Sequence, residues 1–222
     1  RGRYIARMDA DDKALPGRLA AQARFLGMHP HIGAVTGNIV YEPLVDYGQG
    51  FALFVSWLNS LTSAEDIALN RFVDLPFANP AMMWRATLSH KLGSYRQGDF
   101  PEDYEMWLRW MDQGVQIGKI PQEVLVWRDH DKRLTRTDRR YRIDAFWRVK
   151  QPYILSWLRA HAPSFPHFVV WGAGKRSRKR ALSLARAGIQ IEFFVDITTR
   201  HIPGYRVIHF SGLRTAGKHF VL

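Results

Sequence analysis

The sequence predicts an α/β chain in two successive units, and three patterns predict it. Short apolar runs, such as Tyr4-Ile5-Ala6 and Phe168-Val169-Val170, alternate with longer segments of helical periodicity. Pro- and Gly-containing turns punctuate the boundaries between them. After Ala162-Pro163-Ser164-Phe165-Pro166, a stretch with the composition of a linker, a fresh strand–turn–helix pattern begins.

In chain order, residues 4–8 read as a strand. Pro16 to Met28 reads as a helix, because Pro16 suits a first turn and Leu19, Ala23 and Leu26 fall on one face. Residues 32–41 read as a strand, 47–50 as a loop and 51–60 as an amphipathic or buried helix. Thr62-Ser63-Ala64-Glu65 has the spacing of a capping box for the next helix. Pro76 to Pro80 forms a rigid turn before a short buried strand, 81–85, and a weak helix over 86–92 ends at Gly93. Glu102-Asp103-Tyr104-Glu105 opens a strong helix that Gly114 stops. Residues 117–120 and 124–127 read as two strands split by Pro121. Residues 139–160 read as a long basic amphipathic helix interrupted at Pro152.

Composition narrows the function classes. Of the 222 residues, 46% are hydrophobic and 13% aromatic, enough for a packed core and against disorder. No apolar run approaches the ~20 residues of a membrane-spanning helix. The chain has no cysteine, which excludes disulfides and thiolate metal sites and fits a cytoplasmic setting. The net charge of +12 favours an anionic partner: a nucleotide, a nucleic acid or an acidic membrane surface.

The chemistry concentrates in Met8-Asp9-Ala10-Asp11-Asp12, where a strand runs out into a loop. Three carboxylates within four residues repel one another, and a hard cation such as Mg²⁺ or Mn²⁺ relieves the repulsion while binding phosphate oxygens. The residues alone favour an acidic helix start, where capping and the helix dipole suit Asp.

Further motifs follow in order: Pro16-Gly17-Arg18-Leu19, Asn79-Pro80-Ala81-Met82-Met83-Trp84-Arg85, Gly93-Ser94-Tyr95-Arg96, Glu102-Asp103-Tyr104-Glu105-Met106-Trp107-Leu108-Arg109 and Arg128-Asp129-His130. With Arg7 to Asp12 they resemble the family 2 glycosyltransferases of the GT-A fold, over roughly the first two-thirds of the chain. The resemblance implies sugar transfer from a nucleotide-diphosphate donor to a hydroxyl of a glycan, lipid or polysaccharide, with inversion. It implies Asp11 as the metal ligand of a DxD motif, with His130 as a late metal or diphosphate contact. It implies Asp9, Asp12 and Arg128 around the donor, and Asp103 as the general base, with Mn²⁺ or Mg²⁺ as cofactor. Trp84, Trp107 and Trp110 lie in apolar runs and are expected in the core rather than on sugars. Lys132 and Arg133 could contact the diphosphate, with a solvated loop the favoured reading for both, and Glu102 and Glu105 are expected as structural residues.

The family's members carry a strand–helix–strand half upstream that binds the base and ribose. Only two residues precede Arg3 here, so the expectation is a fragment or truncated copy lacking that nucleotide-binding half. The expected organisation is therefore a partial GT-A unit over 1–137, a helical connector and linker over 138–166, and a small Rossmann-like unit over 167–222.

In that last unit, Val169-Val170-Trp171-Gly172-Ala173-Gly174-Lys175-Arg176-Ser177 is a strand entering a Gly-rich turn and a helix. Asp196 follows a second strand, and 205–210 reads as a third. This is the context of a phosphate or dinucleotide turn at Gly172 and Gly174 with an acid for ribose at Asp196, although Ser177 replaces the third glycine. A solvated α/β unit with no dinucleotide is the competing reading.

A different class also fits: a basic module binding nucleic acid or an anionic surface through 128–150 and 175–180. The first of these runs holds nine Lys and Arg against four Asp. The acidic triplet argues against nucleic acid. A peripheral membrane contact around Phe146-Trp147-Arg148, at the inner face of a membrane, completes the expectations.

Overall fold

In a computed structural model, residues 2–44, 49–198 and 200–215 are described. The expected loop at 47–50 lies half outside them. The chain divides into two compact units, Arg1–Lys150 and Gln151–Leu222.

The first unit runs β1 (Tyr4–Ala6), β2 (Lys13–Ala14), α1 (Arg18–Met28), β3 (Ile32–Pro43), α2 (Gly50–Ser60), α3 (Ala64–Asn70), β4 (Met83–Arg85), α4 (Ala86–Leu92), α5 (Glu102–Asp112), β5 (Gln116–Asp129), α6 (Leu134–Thr137) and the start of α7 (Ile143–His161). Its five strands form one mixed sheet in the order β1-β4-β3-β5-β2. The long strands β3 and β5 run parallel, and the three short ones pair antiparallel to their neighbours. β1 and β2 are therefore opposite edges of the sheet, although only residues 7–12 separate them. At ~4.8 Å per strand the crossing is about 19 Å on a flat sheet, close to the reach of so short a connection. The acidic segment is strung from one edge of the sheet to the other.

Side-chain alternation on β4 divides the core. Met83 joins Leu26, Val35, Val55, Leu58 and Leu125 beneath α1 and α2. Its neighbour Trp84 turns to the other face, where its ring meets those of Trp107 and Trp110 edge-on at 5.7 and 6.0 Å. All three tryptophans are buried, as expected from their apolar runs.

Several elements depart from the sequence reading. Pro121 does not split its strand. The pairing of β3 with β5 slips there, from Gly37 opposite Ile120 to Asn38 opposite Glu123, so Pro121 and Gln122 bulge out. Asn38 Nδ2 donates to the Pro121 carbonyl at 3.0 Å, and Gly37 faces the bulge, where a Cβ would lie 2.8 Å from the Gln122 carbonyl oxygen. The capping box sits one residue later than its spacing suggests: Ser63 caps, and Asp66 answers it at N3. Pro152 lies inside α7 without ending it.

The inward face of α1 is also different. Leu19 is 59% exposed, whereas Arg18, Gln22 and Leu26 are buried. Buried carbonyls demand donors, and Arg18 supplies them. Its Nη2 donates to the carbonyls of Arg7 and Pro80, both at 2.7 Å, and of Met82 at 3.4 Å. Its Nε donates to Gln22 Oε1 at 3.1 Å, and Gln22 Nε2 donates to the Ala81 carbonyl at 2.7 Å.

The second unit contains the rest of α7, then β6 (His167–Trp171), α8 (Lys175–Arg186), β7 (Gln190–Asp196) and β8 (Arg206–His209). The strands form a parallel sheet in the order β6-β7-β8. Val170, Ala173, Ala181 and Phe194 pack between the sheet and α8. Among the described residues, no helix is long and apolar enough to cross a membrane.

The Arg18 contacts generate a stability prediction. Arg18→Met keeps the stem but takes the guanidinium donor from the carbonyls of Arg7 and Pro80, so denaturant unfolding should show a loss of about 3 kcal/mol. A loss under about 0.5 kcal/mol would mean water replaces the guanidinium.

Candidate active site

The site begins at the acidic segment. Arg7 N donates to the Met82 carbonyl at 2.9 Å, and Asp12 N to the Asp9 carbonyl at 3.3 Å, so the carboxylates are carried on a pinned turn. One oxygen from each of Asp9, Asp11 and Asp12 can be chosen so that all three lie within 4.8 Å of one another. Their environments differ. Asp9 pairs with Arg7 at 2.5 Å, yet burial leaves its pKa above the usual carboxylate value. Asp12 is buried, and desolvation pushes it up to about 6 despite the Arg128 amide that donates to its Oδ1 at 3.0 Å. Burial also acts to raise Asp11, but the hydrogen bond from His130, its own amide and Arg133 outweigh it and hold the group low. His130 Nε2 lies 2.8 Å from Asp11 Oδ2.

Asp12 Oδ2 is buried with no hydrogen-bond partner among the described residues. An orphaned carboxylate oxygen beside two further carboxylates is what a hard divalent cation would satisfy, so the residues present fit such an ion.

Asp103 enters from α5. Its Oδ1 accepts the Tyr104 amide at 2.7 Å, the local bond of a first-turn Asp. Desolvation, then the neighbouring Glu102 charge, pushes its carboxyl up to about 7, which outweighs the favourable helix start. Asp9, Asp11, Glu102 and Asp103 line one cavity of about 370 Å³, with Arg7 and Arg133 beside them and Phe54, Trp127 and Phe146 among its apolar walls. Residues 94 positions apart in sequence thus face the same space.

Other expected positions fall elsewhere. Arg128 is not among the residues lining this cavity; its Nε pairs with Glu42 Oε2 at 2.9 Å, and Lys13 Nζ reaches the same carboxylate at 3.2 Å. Phe146 is half-buried and packs against Tyr104, at 5.4 Å between rings. Gly172, Gly174 and Asp196 lie in the second unit. The Asp196 carboxylate accepts the Ala173 amide at 2.7 Å and the Thr198 amide at 3.1 Å, so it clamps the Gly-rich turn. Gly172 has φ +98°, and a Cβ there would approach Ser177 Oγ to 2.9 Å, so the serine in the third-glycine place closes on the turn.

Sequence reasoning ranked two site residues too low. Arg133, expected in solvent, is 9% exposed; it stacks over the Trp127 ring at 4.2 Å and stands 3.6 Å from Asp12 Oδ1. Glu102, expected to be structural, faces the cavity and accepts the Tyr141 hydroxyl at 3.1 Å. The run of alternating charges around Arg133 concealed it, because a lone Arg cannot be told from its solvated neighbours without knowing what packs on it. The basic run 128–150 is largely neutralised internally: Arg136 pairs with Asp129 at 2.6 Å, Arg139 with Asp99 at 2.9 Å and Arg140 with Asp138 at 2.8 Å. That pairing weakens it as a nucleic-acid surface.

Comparisons with known proteins bear on this geometry. No protein-family model matches the chain. A Haemophilus influenzae protein named an uncharacterized glycosyltransferase is 27% identical over 124 residues, 56% of this chain and 43% of its own length. The amylovoran biosynthesis glycosyltransferase AmsE of Erwinia amylovora is 29% identical over 117 residues, 53% of this chain and 41% of its own length. The chain thus spans less than half the length of these relatives. A crystal structure of S. aureus TarS 1-349 in complex with UDP-GlcNAc aligns with TM-score 0.47 and 12% identity, over 84% of this chain and 48% of that one.

The raised Asp103 carboxyl has a consequence for stability. Its unfolded value is near 4 and its folded value about 7, so folding favours the protonated form. That contribution is full below pH ~4 and is lost as pH rises through ~7. Asp103→Asn should therefore stabilise the protein at pH 8, by on the order of 2 kcal/mol, and do little near pH 4. Thermal melts at the two pH values check this; equal effects at both would show that the side chain is solvated.

Proposed function

We propose that this chain forms the metal-and-acceptor part of an inverting glycosyltransferase that moves a sugar from a nucleotide-diphosphate donor to a hydroxyl acceptor. The observation that carries the reading is the convergence of Asp9 and Asp11 with Asp103 on one cavity. The glycosyltransferase relatives and the ordered motifs shared with family 2 support it.

Each residue has a task in this reading. Asp11, held ionised beside His130, and the orphaned oxygen of Asp12 would hold Mn²⁺ or Mg²⁺, with Asp9 completing the set. When bound, the ion supplies charge neutralisation for a departing diphosphate without proton transfer. Arg7 and Arg133 at the same cavity add fixed positive charge for that anion. Asp103 takes the proton of the acceptor hydroxyl as the oxygen attacks the anomeric carbon. A carboxylate with its pKa near 7 is a better base than one near 4 and is still largely ionised above neutrality. Acceptors in this reading are glycan, lipid or polysaccharide hydroxyls.

Two measurements test the reading. Calorimetric titration of UDP and GDP should show binding with Mn²⁺ that is at least tenfold weaker without metal and in Asp11→Ala; metal-independent binding would remove Asp11 from the role. Where transfer is measured with a donor–acceptor pair, Asp103→Asn should lower kcat by at least ~10³-fold while nucleotide affinity is kept. The wild-type rate should fall on the acid side of pH ~7, because the base must be unprotonated. Turnover retained in Asp103→Asn would assign the base elsewhere.

A further inference from the structure

The second unit carries a feature that the sugar-transfer reading does not use. Residues 151–222 hold 11 Lys and Arg and only two acidic residues, Glu192 and Asp196. Asp196 accepts the Ala173 and Thr198 amides and stands 3.8 Å from Arg200 Nε, and Glu192 lies 3.7 Å from His167. In the first unit 21 basic residues face 18 acidic ones, so most of the chain's excess charge belongs to the small unit.

The same unit exposes apolar side chains along one edge. Its three strands are parallel, so their carboxyl ends lie side by side, about 4.8 Å apart. Trp171 closes β6, and Ile197 and Phe210 follow directly after β7 and β8. They are 49%, 68% and 46% exposed, although the strands behind them are buried and apolar at Val169, Val170, Phe194 and Val195. Lys175 and Arg176, both exposed, begin α8 just after the turn that leaves β6.

We propose that this carboxyl edge is a membrane-docking surface, with Trp171, Ile197 and Phe210 entering the headgroup region of a bilayer rich in anionic lipid and Lys175 and Arg176 resting on it. Charge complementarity fixes the occupant's sign, since each basic side chain near an anionic leaflet adds to the attraction. The apolar row fixes its character. Trp and Phe suit the membrane interface, and Ile197, the most exposed of the three, offers a nucleic-acid base no ring to stack on but gains from immersion in acyl chain. Docking would hold the chain where amphipathic acceptors are found, but it does not depend on the sugar-transfer reading and is tested without any substrate.

The test is vesicle co-sedimentation of the whole chain with phosphatidylcholine alone and with phosphatidylcholine plus phosphatidylglycerol, and fluorescence titration of a single-stranded oligonucleotide at the same ionic strength. Binding should require phosphatidylglycerol and weaken with salt. Trp171→Ser/Phe210→Ser and Lys175→Glu/Arg176→Glu should each lower the partition coefficient about tenfold or more. All four positions are exposed, and unchanged melting curves will confirm that the folds are intact. Brominated lipid should quench tryptophan fluorescence in the wild type and markedly less in Trp171→Phe, which places that residue in the bilayer. Wild-type affinity for anionic vesicles in both double variants would overturn the assignment, as would binding to oligonucleotide without binding to vesicles, or binding to neither.

Discussion

The first unit depends on a buried cation held by backbone carbonyls. The Arg18 guanidinium bonds to the carbonyls of Arg7, Pro80 and Met82, and thereby ties the start of the acidic segment to the turn that leads into β4. Burying a charge is costly unless hydrogen bonds satisfy it, and here backbone carbonyls accept them. The arrangement is mutual: the carbonyls need donors because the segment crosses the sheet instead of pairing along it, and the guanidinium needs acceptors because helix α1 buries it. Gln22, one turn on, extends the same network to Ala81. A hydrophobic residue at position 18 would bury as well, but it would take this anchor from the acidic segment.

That anchor makes the electrostatics of the cavity meaningful. Three carboxylates on a loose loop would separate until solvent screened them. On a pinned turn they cannot, and their environments draw their protonation behaviour apart. Asp11 is held ionised, Asp12 and Asp103 are raised by desolvation, and Arg7 and Arg133 are present in close support. Pairs of titratable groups pushed apart in this way are how a site assigns one group to hold charge and another to exchange a proton.

What could be read from the sequence follows from how local each determinant is. The α5 helix and the termination of α4 at Gly93 rest on periodicity and a glycine at φ +76°, both visible in a short window. The acidic triplet and Asp103 were legible as residue types in an ordered pattern of motifs. Their convergence was not, because it depends on which strand pairs with which: β2, only two residues long, fixes one end of the segment through Lys13 opposite Val126, and nothing in Lys13-Ala14 announces a strand. Leu19 misled because apolar periodicity assumes an apolar inner face, whereas α1 turns Arg18 and Gln22 inward to meet carbonyls contributed by residues some 60 positions away. Pro121 misled for a similar reason. A proline ends a strand only when its partner needs the missing N–H, and a bulge opposite Gly37 removes the need.

Charge was the property that the sequence misplaced most. Read linearly, 128–150 is the most prominent basic run of the first unit, but folding spends it on Glu42, Asp12, Asp129, Asp99, Asp138 and the carbonyls of Phe72 and Val73. In residues 151–222 the same sign meets almost no acid, so its field reaches solvent. An ion pair at ~3 Å cancels a field within a Debye length or so, whereas uncompensated charges on a small unit add. The two units therefore use basic residues in opposite ways. The first uses them inwardly, as clamps that hold a cavity and tune its acids. The second carries far more of them than acids, and its attraction for anions is a property of its net charge that a short motif such as the Gly-rich turn cannot express.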